Sequence, residues 1–150
     1  MQNMNHLDKE GKAVMVDISK KPPVRRTALA AGRINLAAET VDLIRQNLIK
    51  KGDVLTISRI AGIMAAKKTA DFIPLCHNIA LEHITVDLDL DDTGVTIRSE
   101  ARCTDKTGIE MEALTAVTVA ALTIYDMCKA VDKKMLITDI RLLEKRKEEL

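Results

Sequence analysis

The spacing of apolar residues shifts along the chain, and each shift marks an element. Val24 to Leu36 is extended in pattern and reads as a first strand, with Arg25, Arg26 and Arg33 placed to reach solvent or a ligand. From Ala37 to Ile49, Val41, Ile44 and Leu48 recur at helical spacing and leave Glu39, Asp42, Arg45 and Gln46 outside. Lys50, Lys51 and Gly52 supply a basic last turn and a stop. Asp53 then suits the N-cap of a second helix, Val54 to about Ala70, with Ile57, Ala61, Met64 and Ala65 expected on its inner stripe. Leu81 to Leu90 and Val95 to Cys103 alternate, Ile84, Val86, Leu88 and Leu90 answering Val95, Ile97, Ala101 and Cys103. With Asp91-Asp92-Thr93-Gly94 as the turn, this is an antiparallel hairpin. Asp87 and Asp89 share its outer face with Arg98 and Arg102, a pattern of solvated cross-strand charge pairs.

The most apolar stretch follows, within Gly108 to Lys134. No residue from Ala113 to Tyr125 is charged, so a central helix covered on several sides is expected. It is short and charge-flanked beside a membrane span of ~20 apolar residues. Met135 to Leu143 reads as a last strand and Glu144 to Leu150 as a charged tail. Residues 1–23 are polar and end in Lys20-Lys21-Pro22-Pro23, which reads as a loosely held arm with a short docked piece around Val14 to Ile18. The whole is one domain of 150 residues with no internal repeat. One extra helix aside, the order is β-α-β-β-α-β. That is an α+β, ferredoxin-like arrangement, an antiparallel sheet with helices packed on one face.

Composition narrows the function classes. A net charge of +1 and an aromatic content of 1%, with only Phe72 and Tyr125, argue against a basic nucleic-acid binder or a base-stacking platform. An aliphatic core in a small domain gains from oligomerisation. Cys76, Cys103 and Cys128 are odd in number and widely spaced, which suits reduced thiols better than disulfides or a zinc site. With no targeting or lipidation motif visible, the expected address is the cytoplasm, without a membrane partner.

Candidate chemistry gathers at the ends of the central helix. Glu110, Glu112, Lys129 and Lys133 complement the helix dipole, but Asp126 stands near the end that disfavours a carboxylate. Lys129 is three residues on, within pairing reach, and both a structural ion pair and an acid/base pair remain open readings. Glu112 and Asp126 share a side of the helix but lie about 21 Å apart along it. A small reacting group cannot touch both, so either the ligand is long or two copies bring opposite tips together. His77 sits in the mostly apolar loop Phe72 to Asn78, where a structural and a catalytic reading both stand, and Lys67 and Lys68 close a helix. No phosphate-loop, dinucleotide, zinc-protease or nucleophile-elbow motif is present.

Several words in the chain are more specific. Lys51-Gly52-Asp53-Val54, Ala65-Ala66-Lys67, Ile73-Pro74-Leu75-Cys76-His77, Thr107-Gly108-Ile109-Glu110-Met111-Glu112-Ala113-Leu114-Thr115 and the run from Val119 to Val131 closely resemble the cyclic pyranopterin monophosphate synthase family. The likeness extends from about His6 to Lys145. It implies a ferredoxin-like lyase of molybdenum cofactor biosynthesis. Such an enzyme converts the 3',8-cyclised dihydro-GTP intermediate to cyclic pyranopterin monophosphate and releases pyrophosphate. It also implies hexamers built as trimers of dimers, with sites at the dimer interface.

By the same resemblance, Asp126, Lys129 and Lys51 are catalytic, and Leu75, Cys76, His77, Met111 and Glu112 bind substrate. Glu110 supports the pterin end, Lys67 the phosphates, and Lys145 keeps its family position. No resident metal or cofactor is expected, although magnesium could accompany the triphosphate. The chain departs from the family pattern at Asn78, where many members have Pro, and in a tail that lacks the usual Gly/Ser-rich basic segment. The alternatives are a non-catalytic nucleotide- or pterin-binding module of the same fold and a purely structural oligomer partner.

Overall fold

Residues 6–150 are described by a computed structural model. The elements run β1 (Val24–Asn35), α1 (Ala38–Arg45), α2 (Val54–Ala66), α3 (Thr69–Phe72), β2 (His83–Asp91), β3 (Gly94–Asp105), α4 (Glu110–Cys128) and β4 (Leu136–Glu148). The four strands form one antiparallel sheet in the order β2-β3-β1-β4, with the helices packed on it. This is the α+β, ferredoxin-like arrangement that the order of elements predicts.

The hairpin follows its alternation. Asp91 pairs with Gly94, which leaves Asp92 and Thr93 as a two-residue turn, and Val86, Leu88, Val95, Ile97, Ala101 and Cys103 face the core. On the outer face Arg98 reaches Asp89 at 3.1 Å, whereas Arg102 bonds Glu100 of its own strand at 2.6 Å instead of a β2 aspartate.

The α4 helix packs against all four strands and against α2, and Ala113, Ala116, Val117, Ala120, Ala121 and Ile124 are fully buried. It is long and apolar enough to match a membrane span, but more than half of it is buried inside the domain, as befits a core helix.

Three local details differ from the apolar pattern. First, α2 buries Val54, Ser58, Gly62, Ala65 and Ala66, and turns Ile57 and Met64 outward at 41% and 54% exposure. A Cβ at Gly62 would stand 2.8 Å from the Ala116 carbonyl oxygen and 3.3 Å from the Ala120 Cβ. The backbones of α2 and α4 are therefore so close that only small residues fit between them, and the larger ones are displaced to the surface. Second, α1 stops at Arg45; Asn47 adopts a left-handed φ of 55°, so Leu48 falls outside the helix and is exposed.

Third, the segment expected as a charged tail continues as strand. Lys145, Arg146, Lys147 and Glu148 pair with Ala28, Thr27, Arg26 and Arg25 of β1. Edge pairing uses backbone groups, so alternation is not required, and charged side chains on an edge strand guard it against further pairing.

The described part of the N-terminal arm has no regular element beyond an isolated bridge between Leu7 and Ala13. It is nonetheless docked: Nε2 of His77 donates to the Val16 carbonyl at 2.7 Å, and Nζ of Lys106 to the Ser19 carbonyl at 2.9 Å. Residues 1–5 of the arm lie outside the described residues.

Candidate active site at the two ends of the long helix

At its N-terminal tip α4 opens on a cavity of about 280 Å³. The loop after α3 contributes Leu75, Cys76 and His77, the first turn of α4 contributes Glu110, Met111 and Glu112, and the arm closes the remaining side with Val16 and Lys21. Because a carbonyl only accepts, the bond to Val16 requires a hydrogen on Nε2 of His77. The histidine thus has a structural partner and a cavity-lining position at once.

Glu112 is only 4% exposed, and its Oε2 has no hydrogen-bond partner. Burial, helped by the nearby charges of Glu110 and Asp105, pushes its carboxyl above the usual range. Burial and then Glu112 push the Cys76 thiol up as well. A ligand's N–H donors suit this wall, because they would satisfy the buried Oε2 and favour the ionised form that burial disfavours.

A second cavity of about 180 Å³ adjoins the first and shares Gly108 and Glu110 with it. Arg26, Lys145 and Lys147 line it, and Nζ of Lys145 lies 3.1 Å from Oε1 of Glu110. Arg26 is fixed by donating to the Asp105 and Lys106 carbonyls. Lys21 does not stand out in the sequence as a ligand residue by spacing, whereas Arg26 is one of the first-strand arginines expected to reach solvent or a ligand. For Lys21 the available signal is position alone, in the basic run before Pro22-Pro23.

The C-terminal tip of α4 holds a different constellation. Asp126 receives Lys129 Nζ on Oδ1 at 2.8 Å and Lys51 Nζ on Oδ2 at 2.8 Å, and Lys51 also donates to the Asp126 backbone carbonyl at 3.1 Å. Hydrogen bonds from Lys129 and then Lys51 lower the Asp126 carboxyl to about 2. Asp126 in turn raises Lys129. All three side chains are about half exposed, where solvent screens such pairs and they contribute little to stability. The cluster places two ammonium groups and one carboxylate together within reach of solvent.

The sequence residues thus fall into two groups. Leu75, Cys76, His77, Glu110, Met111, Glu112 and Lys145 gather at one tip, and Lys51, Asp126 and Lys129 at the other. Lys67, the C-cap residue of α2, is exposed and lines neither cavity. Among the described residues no group of three or more His, Cys, Asp or Glu side chains is placed to hold a metal ion.

Fold and site together define a class: a small α+β domain with an amphoteric cavity at one end of its core helix and a lysine–aspartate–lysine cluster at the other. A family model described as the MoaC family matches residues 15–148. Over 147 residues the chain is 53% identical to the cyclic pyranopterin monophosphate synthase of Heliobacterium modesticaldum, covering 97% of this chain and 92% of that relative. It is 52% identical over 143 residues to the enzyme of that name from Desulfitobacterium hafniense, covering 95% and 88%. With the mitochondrial cyclic pyranopterin monophosphate synthase of Arabidopsis thaliana, the identity is 53% over 97% of this chain and 54% of that longer protein. The chain belongs to the MoaC family.

Proposed function

We propose that this protein is a lyase of molybdenum cofactor biosynthesis. Its substrate is the 3',8-cyclised dihydro-GTP intermediate, its product cyclic pyranopterin monophosphate, and pyrophosphate is released. The observation that carries this reading is the half-exposed Lys51–Asp126–Lys129 cluster, whose pairing contributes little to stability and whose charges suit proton transfer beside an anion. Held ionised by two cations, Asp126 is a weak base in the free chain and first serves to aim both ammonium groups. Lys129 then supplies a proton to the opening guanine-derived ring, and Lys51 stabilises charge as the cyclic phosphate forms. At the other tip Glu112 and the Leu75–His77 loop grip the polar ring edge, while Lys145 and Glu110 serve the remaining polar groups, and Lys67, outside both cavities, would meet phosphates only where they extend past them. No resident cofactor is part of this reading.

A complete site requires a second copy. Ile57, Ile60 and Met64 of α2 and Leu122 and Tyr125 of α4 are exposed apolar side chains at helical spacing, a surface suited to self-association. Two antiparallel copies of α4 would set one chain's cavity beside its partner's cluster, and further assembly into a trimer of dimers gives a hexamer. The three free thiols support a reducing compartment such as the cytoplasm.

The direct test is to incubate the purified chain with the cyclised triphosphate and measure pyrophosphate. Release in step with the cyclic product is expected. Binding without release would make the chain a pterin- or nucleotide-binding module instead.

A further inference from the structure

We infer that Asp132 is a positioning residue for this reaction: by clamping the start of α1, it sets where Lys51, at the far end of the same segment, stands against Asp126. The effect on turnover rests on the catalytic reading above, whereas the effect on Lys51 rests on geometry alone.

The α1 helix has eight residues, and Ala37 at its N-cap provides no side-chain cap. Helix starts leave backbone N–H groups without partners, and a helix this short is not stable by itself. The missing cap comes from far along the chain. Asp132 Oδ2 accepts from the Ala37 N–H at 2.9 Å and from the Thr40 hydroxyl at 2.9 Å, while Oδ1 accepts from the Lys134 N–H at 3.1 Å. The Asp132 N–H donates to the Cys128 carbonyl at 3.0 Å. One side chain thus joins the start of α1 to the end of α4 and the start of β4.

Asp132 is 5% exposed and has only uncharged partners. Burying a carboxylate is costly unless every lone pair is used, and an aliphatic contact would hold the core more cheaply. What the carboxylate adds is a fixed point. From that point α1 leads to the left-handed turn at Asn47 and the Ile49–Gly52 turn, and then presents Lys51 to Asp126. Residues 37–51 are therefore tied to one tip of α4 at both ends, by Asp132 inside and by Asp126 at the surface. Between the ties Val41, Ile44 and Ile49 are buried in the core, so release of the inner tie lets the segment shift without coming free, and the position of Lys51 shifts with it.

The test compares Asp132→Ala, Thr40→Val, Lys51→Ala and the double variant Lys51→Ala/Asp132→Ala. Misplacement of Lys51 should lower kcat of Asp132→Ala by roughly 10-fold or more while KM changes by less than about 3-fold. In the Lys51→Ala background the same change should cost less than about 2-fold, since residues acting through one contact are not additive. Carbon NMR should show the Asp126 titration, about 2 in the intact chain, moving upward in Asp132→Ala as it does in Lys51→Ala.

An unchanged kcat and Asp126 titration in folded Asp132→Ala, or losses that multiply in the double variant, would overturn the assignment. Should Asp132→Ala not fold, Thr40→Val removes one of the two bonds at the start of α1. A loss of about 3-fold with a shifted Asp126 titration then supports the clamp, and no change in either rejects it. The titration needs no turnover. A wild-type chain without lyase activity therefore ends the catalytic reading but leaves the clamp measurable.

Discussion

Asp126 stands where the carbonyl end of α4 disfavours a carboxylate, and the two lysines on its oxygens compensate for that placement. Its carboxyl is depressed, so whatever stability the cluster contributes is present above the ordinary carboxylate range near 3.8. It is lost only as pH falls through about 2. Asp126 accordingly stays charged through mildly acid conditions. Lys129→Ala should keep substrate binding measurable yet lower product formation by ~100-fold or more, as loss of a general acid does, and near-normal turnover would reject its role.

Glu112 runs the other way. Its folded-state carboxyl is raised, so the protonated form is favoured, and stability present below about 4.5 declines as pH rises through the folded-state value. Glu112→Gln should therefore melt higher than the parent at about pH 8 and show little or no advantage at about pH 4, while ligand affinity falls. Thermal melts across that range, with and without ligand, check both halves.

Much of this was legible at the level of single residues. Asp126 and Lys129 were paired by spacing, and Lys51 and Glu112 were marked by family words. Lys21 and Asp132 were not, and Arg26 was marked only as one of three arginines placed to reach solvent or a ligand. Arg26 bonds residues 79 and 80 positions away, and the Asp132 clamp spans 92 and 95, separations that no local pattern encodes.

Among the elements, the seam between α2 and α4 shows why reading by hydrophobic size went astray. Large apolar residues mark an inner stripe only when there is room for them. At Gly62 the facing Ala116 carbonyl leaves none, so Ser58 and Gly62 are buried, Ala65 is buried as expected, and Ile57 and Met64 are exposed. Gly62→Ala gains up to ~1 kcal/mol of helix propensity but overpacks a backbone contact at a cost of ~1–3 kcal/mol. A net loss of stability is expected from chemical denaturation. A gain would show that the two helices can part without penalty. The hairpin was read correctly because period-two alternation and a two-residue turn are local signals. The full length of β4 was not, because its pairing with Arg25 to Ala28 is set by β1, not by its own charged sequence.

For the molecule as a whole, the two half-sites lie about 21 Å apart along one helix. In the proposed two-copy site, the exposed apolar residues of α2 and α4 form the surface on which the second copy would pack. Ile60 is 51% exposed and takes no part in either half-site. Ile60→Lys should fold normally, shift the protein toward monomer in sedimentation, and lose activity in parallel, because burying an unpaired ammonium in an apolar interface is costly. An active monomer would show that one chain suffices.

The strand order also bears on how the chain emerges from a ribosome. β1 is made early, yet its two neighbours are β3 and β4, the latter ending at Glu148. β3 can pair with β1 first, but the other edge of β1 must wait, unpaired, until β4 has been synthesised. Pairing at such sequence distance is slow, and an apolar strand left open invites wrong partners. Nascent chains of this protein should depend on shielding until the final strand arrives, and stalling translation shortly before Leu136 should leave a species prone to aggregate.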